Sequence, residues 1–131
     1  MLSNQSDAAN GEQDPLLIWM VKDGKRGHEN QSTGLIRALA KLRPVKLIEI
    51  DTATRGLTWL DYLMRRSSRF ADAPKPDLII GAGSRTHATI LGAGRATGAF
   101  TVVLMSPPKG LRHRFDLCIA PEHDGHFGTN V

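Results

Sequence analysis

Two glycine-rich bends carry the residues of this 131-residue chain best suited to chemistry. The first runs Lys22-Asp23-Gly24-Lys25-Arg26-Gly27-His28, directly after a continuous apolar run. The second, Gly81-Ala82-Gly83-Ser84-Arg85-Thr86, follows another such run. Glycine lets backbone approach a ligand, and a helix opening at such a bend has first N–H groups without intrahelical partners. Lys25, Arg26 and Arg85 place cations beside those ends, which favours an anion such as a phosphate. The hydroxyls of Ser84 and Thr86 serve as helix caps or as phosphate donors. Tight turns with solvated lysine and arginine account for the same letters, and spacing leaves both readings open. His28 sits where the first helix starts. It is either a capping histidine or a group that hydrogen-bonds a sugar or acceptor and acts as a base. Asn30 and Gln31, on the same first turn, are either exposed or ligand contacts.

Neither bend is a nucleotide fingerprint. The second reads G-x-G-x-x-T, with Thr86 where a third glycine would allow close helix packing, and about twenty residues on Val102-Val103-Leu104 offers no acid for a ribose. The first lacks the G-x-G core, and no Walker Gly-Lys-Ser/Thr is present. Tyr62, the only tyrosine, is followed four positions later by Arg66, so the Tyr-x-x-x-Lys pair of epimerase-like oxidoreductases is missing. Glu122-His123-Asp124-Gly125-His126 holds four potential metal ligands. They are contiguous, and contiguous ligands rarely close a tetrahedral site. The run reads as a polar loop, and neither a metal nor a cofactor is expected.

The elements that must hold the bends follow from periodicity. Leu16 to Val21 is a continuous apolar stretch of strand length, as suits a strand buried on both faces. Leu35, Ile36, Leu39 and Leu42 form one helical stripe, with Glu29 near its start, Lys41 and Arg43 near its end and Pro44 as its stop. Val45 to Ile50 is a second strand, and Asp51 to Thr54 a loop or cap. Leu57, Leu60, Leu63 and Met64 predict a short amphipathic helix ending in Arg65, Arg66 and Arg69. Pro74 and Pro76 bound a linker into a third strand, Asp77 to Ile80. A small-residue helix follows over about residues 84 to 96; Gly92 and Gly94 each cost it roughly 1 kcal/mol against alanine, and they permit close packing on a sheet. Phe100 to Met105 is a fourth strand, closed by Ser106-Pro107-Pro108, and Phe115 to Ala120 a fifth. The link before the fifth is short for a parallel crossover, so either the crossover is extended or the strand is antiparallel; the extended crossover is preferred. Alternating strands and helices predict a Rossmann-like three-layer α/β/α fold with a mostly parallel five-stranded sheet. The expected order is 2-1-3-4-5, with 3-2-1-4-5 as fallback. The first order brings both bends to the topological switch point, where open α/β sheets bind ligands.

Charge is consistent with an anionic partner. The net charge is +4, with 17 Lys and Arg against 13 Asp and Glu. Loops assigned to the carboxyl edge are more lopsided: Lys22, Lys25, Arg26, Arg85, Lys109, Arg112 and Arg114 face Asp23 alone, with His87 and His113 nearby. Two tryptophans, one tyrosine and four phenylalanines give no basic patch interleaved with aromatics, so a nucleic-acid partner is not expected. Cys118 is the only cysteine, which excludes an internal disulfide framework, and its apolar neighbours predict a buried, inert thiol. Residues 1–15 read as a disordered polar tail without signal-peptide character, and residues 16–131 as one domain. No apolar run reaches the ~18 residues of a membrane span. A cytoplasmic location follows as the expectation.

Four segments together resemble the mitochondrial-fission ELM family. They are Trp19 through Gln31 (W-M-V-K-D-G-K-R-G-H-E-N-Q), Pro76 through Gly83 (P-D-L-I-I-G-A-G), Ser106-Pro107-Pro108, and Phe115-Asp116-Leu117 through Pro121-Glu122-His123-Asp124. Members of that family are described as two-domain, glycosyltransferase-like proteins of GT-B type, and bacterial ones are also labelled nucleoside-diphosphate-sugar epimerases. The resemblance implies an N-terminal, acceptor-side domain with the C-terminal domain absent. That domain would bind a phosphorylated or sugar-containing ligand, such as a glycan or lipid-linked acceptor. A nucleotide sugar would be held through the missing domain, so the fragment alone is expected to be inactive. The Gly27-His28 turn is also similar to the glycine-histidine loop of lipid-linked peptidoglycan glycosyltransferases. By that analogy Gly24, Gly27, His28, Gly81, Gly83 and Ser84 face the interdomain cleft. His28 is the candidate catalytic base, and Lys25 and Arg26 meet phosphate. Gln31, Arg85, Thr86, His123 and Asp124 complete the candidate ligand-binding set. A non-enzymatic interaction module in envelope or membrane-division processes, peripheral to the inner membrane, and an epimerase-like Rossmann protein are the alternatives.

Overall fold

The computed structural model describes residues 14–64, 73–105 and 110–119. The polar tail up to residue 13, Arg65, Arg66 and Arg69, the stretch from Ser106 to Lys109, and the run from Ala120 that includes Glu122, His123, Asp124 and His126 lie outside them.

Five strands form one all-parallel sheet in the order β2-β1-β3-β4-β5, as the alternation of elements requires. The strands are β1 (Leu16–Lys22), β2 (Val45–Asp51), β3 (Leu78–Ala82), β4 (Phe100–Leu104) and β5 (Leu117–Ile119). The fifth strand is parallel, with Val102 opposite Leu117, and the described part of its crossover carries a 3-10 turn, Arg112–Arg114. The α-helices are α1 (Arg26–Ala40), α2 (Thr52–Arg55), α3 (Trp59–Met64) and α4 (His87–Thr97).

Strand side chains alternate between faces, and both faces are apolar because both are covered. On one side Trp19, Val21, Ile50, Ile79, Val103 and Cys118 meet Leu57 and the α4 residues Ile90, Leu91 and Ala93. On the other, Ile18, Met20, Ile80, Val102 and Leu104 meet Ile36 of α1, with Leu35 and Leu39 partly buried beside it. Gly94 brings α4 against the sheet, since a Cβ there would collide with the Thr101 methyl of β4. Gly92 has a different neighbour: its would-be Cβ meets Leu57 and Tyr62, so it seats α4 against α3.

Two apolar stripes are less buried than their periodicity predicts. Helix α1 ends at Ala40, so Leu42 lies beyond it and is 81% exposed. Helix α3, described over Trp59–Met64, turns Leu60 and Leu63 outward, while Leu57, before its start, and Tyr62 face the core. Asp51 is a cap: its carboxylate accepts the Ala53 N–H at 2.9 Å and opens α2.

Carboxylates stitch the amino edge of the sheet. Asp77 accepts the Leu17 N–H at 2.9 Å, and its own N–H donates to the Leu17 carbonyl at 2.8 Å. Asp116 accepts the backbone N–H and hydroxyl of Thr101 at 2.8 and 3.1 Å, which ties the start of β5 to β4.

Candidate functional site

β1 and β3 are hydrogen-bonded neighbours, with Val21 opposite Gly81, so the two bends leave the sheet side by side. At the first bend Gly24 takes φ +86°, a left-handed conformation that lets the chain reverse from β1 into α1. Asp23, before it, is buried, and its side chain is 1% exposed. One carboxylate oxygen accepts the Lys25 N–H at 3.0 Å; the other meets His28 Nδ1 at 2.6 Å. The imidazole keeps 21% of its surface open. The first helical bond of α1 runs from the Glu29 N–H to the Lys25 carbonyl. The N–H groups of Arg26, Gly27 and His28 therefore precede the helical ladder.

The second bend closes onto this pair. Gly83 has φ +96° and ψ 156°, a region open essentially to glycine alone. A Cβ there would fall 2.7 Å from Asp23 Oδ2 and 2.6 Å from His28 Cε1. Thus the bare Cα of Gly83 lies against the Asp23–His28 pair, and the two bends share one wall.

Burial pushes the Asp23 carboxyl up, but the His28 hydrogen bond, the Lys25 N–H and the His28 charge outweigh it and bring its pKa below 3.8. The carboxylate is ionised near neutral pH. His87, first residue of α4, is buried edge-on to Phe115 with ring centroids 5.4 Å apart, and burial lowers its pKa below 6.5.

The remaining candidates divide. Lys25, Arg26, Gly27, Gln31, Ser84 and Arg85 are exposed. Among the described residues Lys25, Arg26 and Arg85 take part in no ion pair. Gly81 and Thr86 are occupied by packing. A Cβ on Gly81 would meet Ile90 Cδ1 at 2.8 Å, and the fully buried Thr86 hydroxyl donates to the Gly83 carbonyl at 2.7 Å, fixing the bend. Lys22 is taken by Glu49 of β2 at 3.0 Å. Arg114 is not at this edge. Its guanidinium donates to the Tyr62 hydroxyl at 3.0 Å beside a cavity of about 200 Å³, lined also by Arg95, Thr101 and Asp116, at the amino end of β4. The crossover turns back to reach β5, and that return carries Arg114 away from the switch point. Met105, just past β4 at the carboxyl edge, has φ 75°, unusual for a non-glycine residue. His123 and Asp124 lie outside the described residues.

A family model described as "Mitochondrial fission ELM1" matches residues 26–131. The chain belongs to that family. No curated protein and no solved structure matches the chain. The ELM1 match covers His28, the second bend and every strand after the first, while Asp23 lies upstream of it. Asp23 is also the site residue that sequence reasoning missed, having counted only as the lone acid of a cationic edge. Its position at the end of an apolar strand, five residues before a histidine, was the available signal.

No helix among the described residues of this ELM1-family chain is long and apolar enough to cross a membrane.

Proposed function

We propose that this chain forms the acceptor-side domain of a glycosyltransferase-like protein and binds a phosphorylated or sugar-containing ligand at the β1/β3 switch point. The observation that carries this reading is the meeting of the two bends, with Gly83 laid against His28 and Asp23. Ligands of open α/β sheets lie at this position. Lys25, Arg26 and Arg85 supply positive charge, and the N–H groups opening α1 supply donors. His28 is the candidate base for an acceptor hydroxyl. The chain's membership of the ELM1 family supports the same assignment through the GT-B-type resemblance drawn from the sequence.

The test is a ligand-induced shift in melting temperature with UDP, GDP, nucleotide sugars, sugar phosphates and NAD. A ligand present at 100 times its Kd stabilises the fold by about 2.7 kcal/mol. The expected result is a shift with sugar phosphates that is lost in a K25A/R26A double variant. A shift with NAD alone sinks the reading and favours an epimerase-like protein.

Exposed Trp59, Leu60 and Leu63 on α3 favour a second reading, an interaction module at a membrane or protein surface. Vesicle binding with no response to any sugar ligand supports it.

A further inference from the structure

We propose that Asp23 is a positioning residue that holds neutral His28 as the Nδ1–H tautomer, leaving Nε2 as the nitrogen available to take a proton from a ligand. Its catalytic consequence rests on the function proposed above; the tautomer assignment stands on the free protein.

The contact between Asp23 Oδ2 and His28 Nδ1 is 2.6 Å, so one hydrogen lies between the two atoms. An ionised carboxylate only accepts hydrogen bonds. Asp23 is held ionised by its partners despite burial, and its other oxygen already accepts the Lys25 N–H. The hydrogen therefore belongs to Nδ1, and neutral imidazole then carries its lone pair on Nε2. A carboxylate behind an imidazole fixes ring orientation as well as tautomer. A proton received at Nε2 creates a cation whose charge falls beside the buried carboxylate.

Three features distinguish this from a helix cap that happens to touch a histidine. The carboxylate is almost fully enclosed, whereas the imidazole is partly open. Each carboxylate oxygen has its own donor, so the group cannot turn without breaking one bond. Gly83, from the bend after β3, packs against both side chains at once, since even a methyl group there would overlap the imidazole and the carboxylate.

The asparagine variant makes the tautomer readable. In Asp23→Asn the amide oxygen is needed by the Lys25 N–H, which leaves the NH2 group facing Nδ1. An NH2 donor requires Nδ1 to be the acceptor, so the ring proton moves to Nε2. Long-range 1H–15N correlation of the histidine rings in the full 131-residue chain reports this directly. The expected result is a predominantly Nδ1–H neutral ring in the unmodified protein and a predominantly Nε2–H ring in D23N. An Nε2–H ring or an even mixture in the unmodified protein overturns the proposal, and that measurement requires no variant to fold. An unchanged tautomer in a folded D23N also overturns it.

Melting shifts with sugar phosphates separate this assignment from the proposed function. A tautomer that follows Asp23 without any ligand response keeps the positioning role and removes the ligand site. A ligand response with a tautomer indifferent to Asp23 does the reverse.

Discussion

The two edges of the sheet use the same residue type in opposite ways. At the amino edge Asp77 and Asp116 are exposed, and they accept backbone or hydroxyl hydrogen from the neighbouring strand. At the carboxyl edge Asp23 is enclosed and shares one of its oxygens with a titratable side chain. The exposed acids fix where strands start. The enclosed one fixes the state of a histidine, and it does so between two glycines in left-handed or glycine-only backbone. Enclosing a charge is costly unless it is fully hydrogen-bonded. The edge that carries this cost is the one where open α/β sheets bind ligands.

The comparison can be broken most severely at Gly83. Gly83→Ala forces a side chain into glycine-only backbone and against Asp23 and His28, and denaturant unfolding should show a loss of about 3 kcal/mol. A loss as small as that of a surface substitution means the bends do not share a wall.

Asp23→Ala comes next, with an expected loss of about 2 kcal/mol at neutral pH, since it removes two charge-assisted hydrogen bonds from an enclosed site. The loss should depend on pH. Asp23 has a folded pKa below 3.8, so its contribution is complete above that value and disappears as pH falls through the folded pKa. Unfolding curves for the two proteins should therefore converge in acid.

Asp116→Ala is expected to cost about 1 kcal/mol, because its bonds to Thr101 lie near solvent. Equal losses from Asp23→Ala and Asp116→Ala would erase the distinction between the edges. The smallest expected effect is a slope. His87 is kept neutral by burial, while the unfolded chain takes up a proton below pH 6.5; stability present above 6.5 should decline as pH falls toward the folded value. H87Q should remove that decline, as measured by urea midpoints across the range.

Much of this architecture was legible in the sequence, for physical reasons that also mark where legibility stops. Strands buried on both faces appear as unbroken apolar runs such as Leu16 to Val21, and their alternation with helices restricts the sheet to few orders. The bends were legible because glycine types the backbone locally. What they touch was not. Asp23 owes its role to His28 and to Gly83, and nothing near residue 23 announces the bend after β3. Thr86 and Gly81 look like ligand contacts in sequence, yet their space is filled by the bend and by Ile90. Leu42, Leu60 and Leu63 fit a helical stripe, but periodicity does not say where a helix ends or which of its sides the sheet covers. Arg114 was placed by chain order, and the turn of the last crossover decided otherwise.

The pairing of β1 with β3 also bears on how the chain folds. Leu17 and Asp77, which meet at the start of those strands, are 60 residues apart, whereas β1, α1 and β2 are consecutive. Distant segments meet only after a large loop has closed, and topologies that depend on them assemble slowly. His28 and Asp23 can thus come together early within one stretch of chain, while Gly83 arrives with the later pairing. The wall that the two bends share is therefore complete only in the finished sheet.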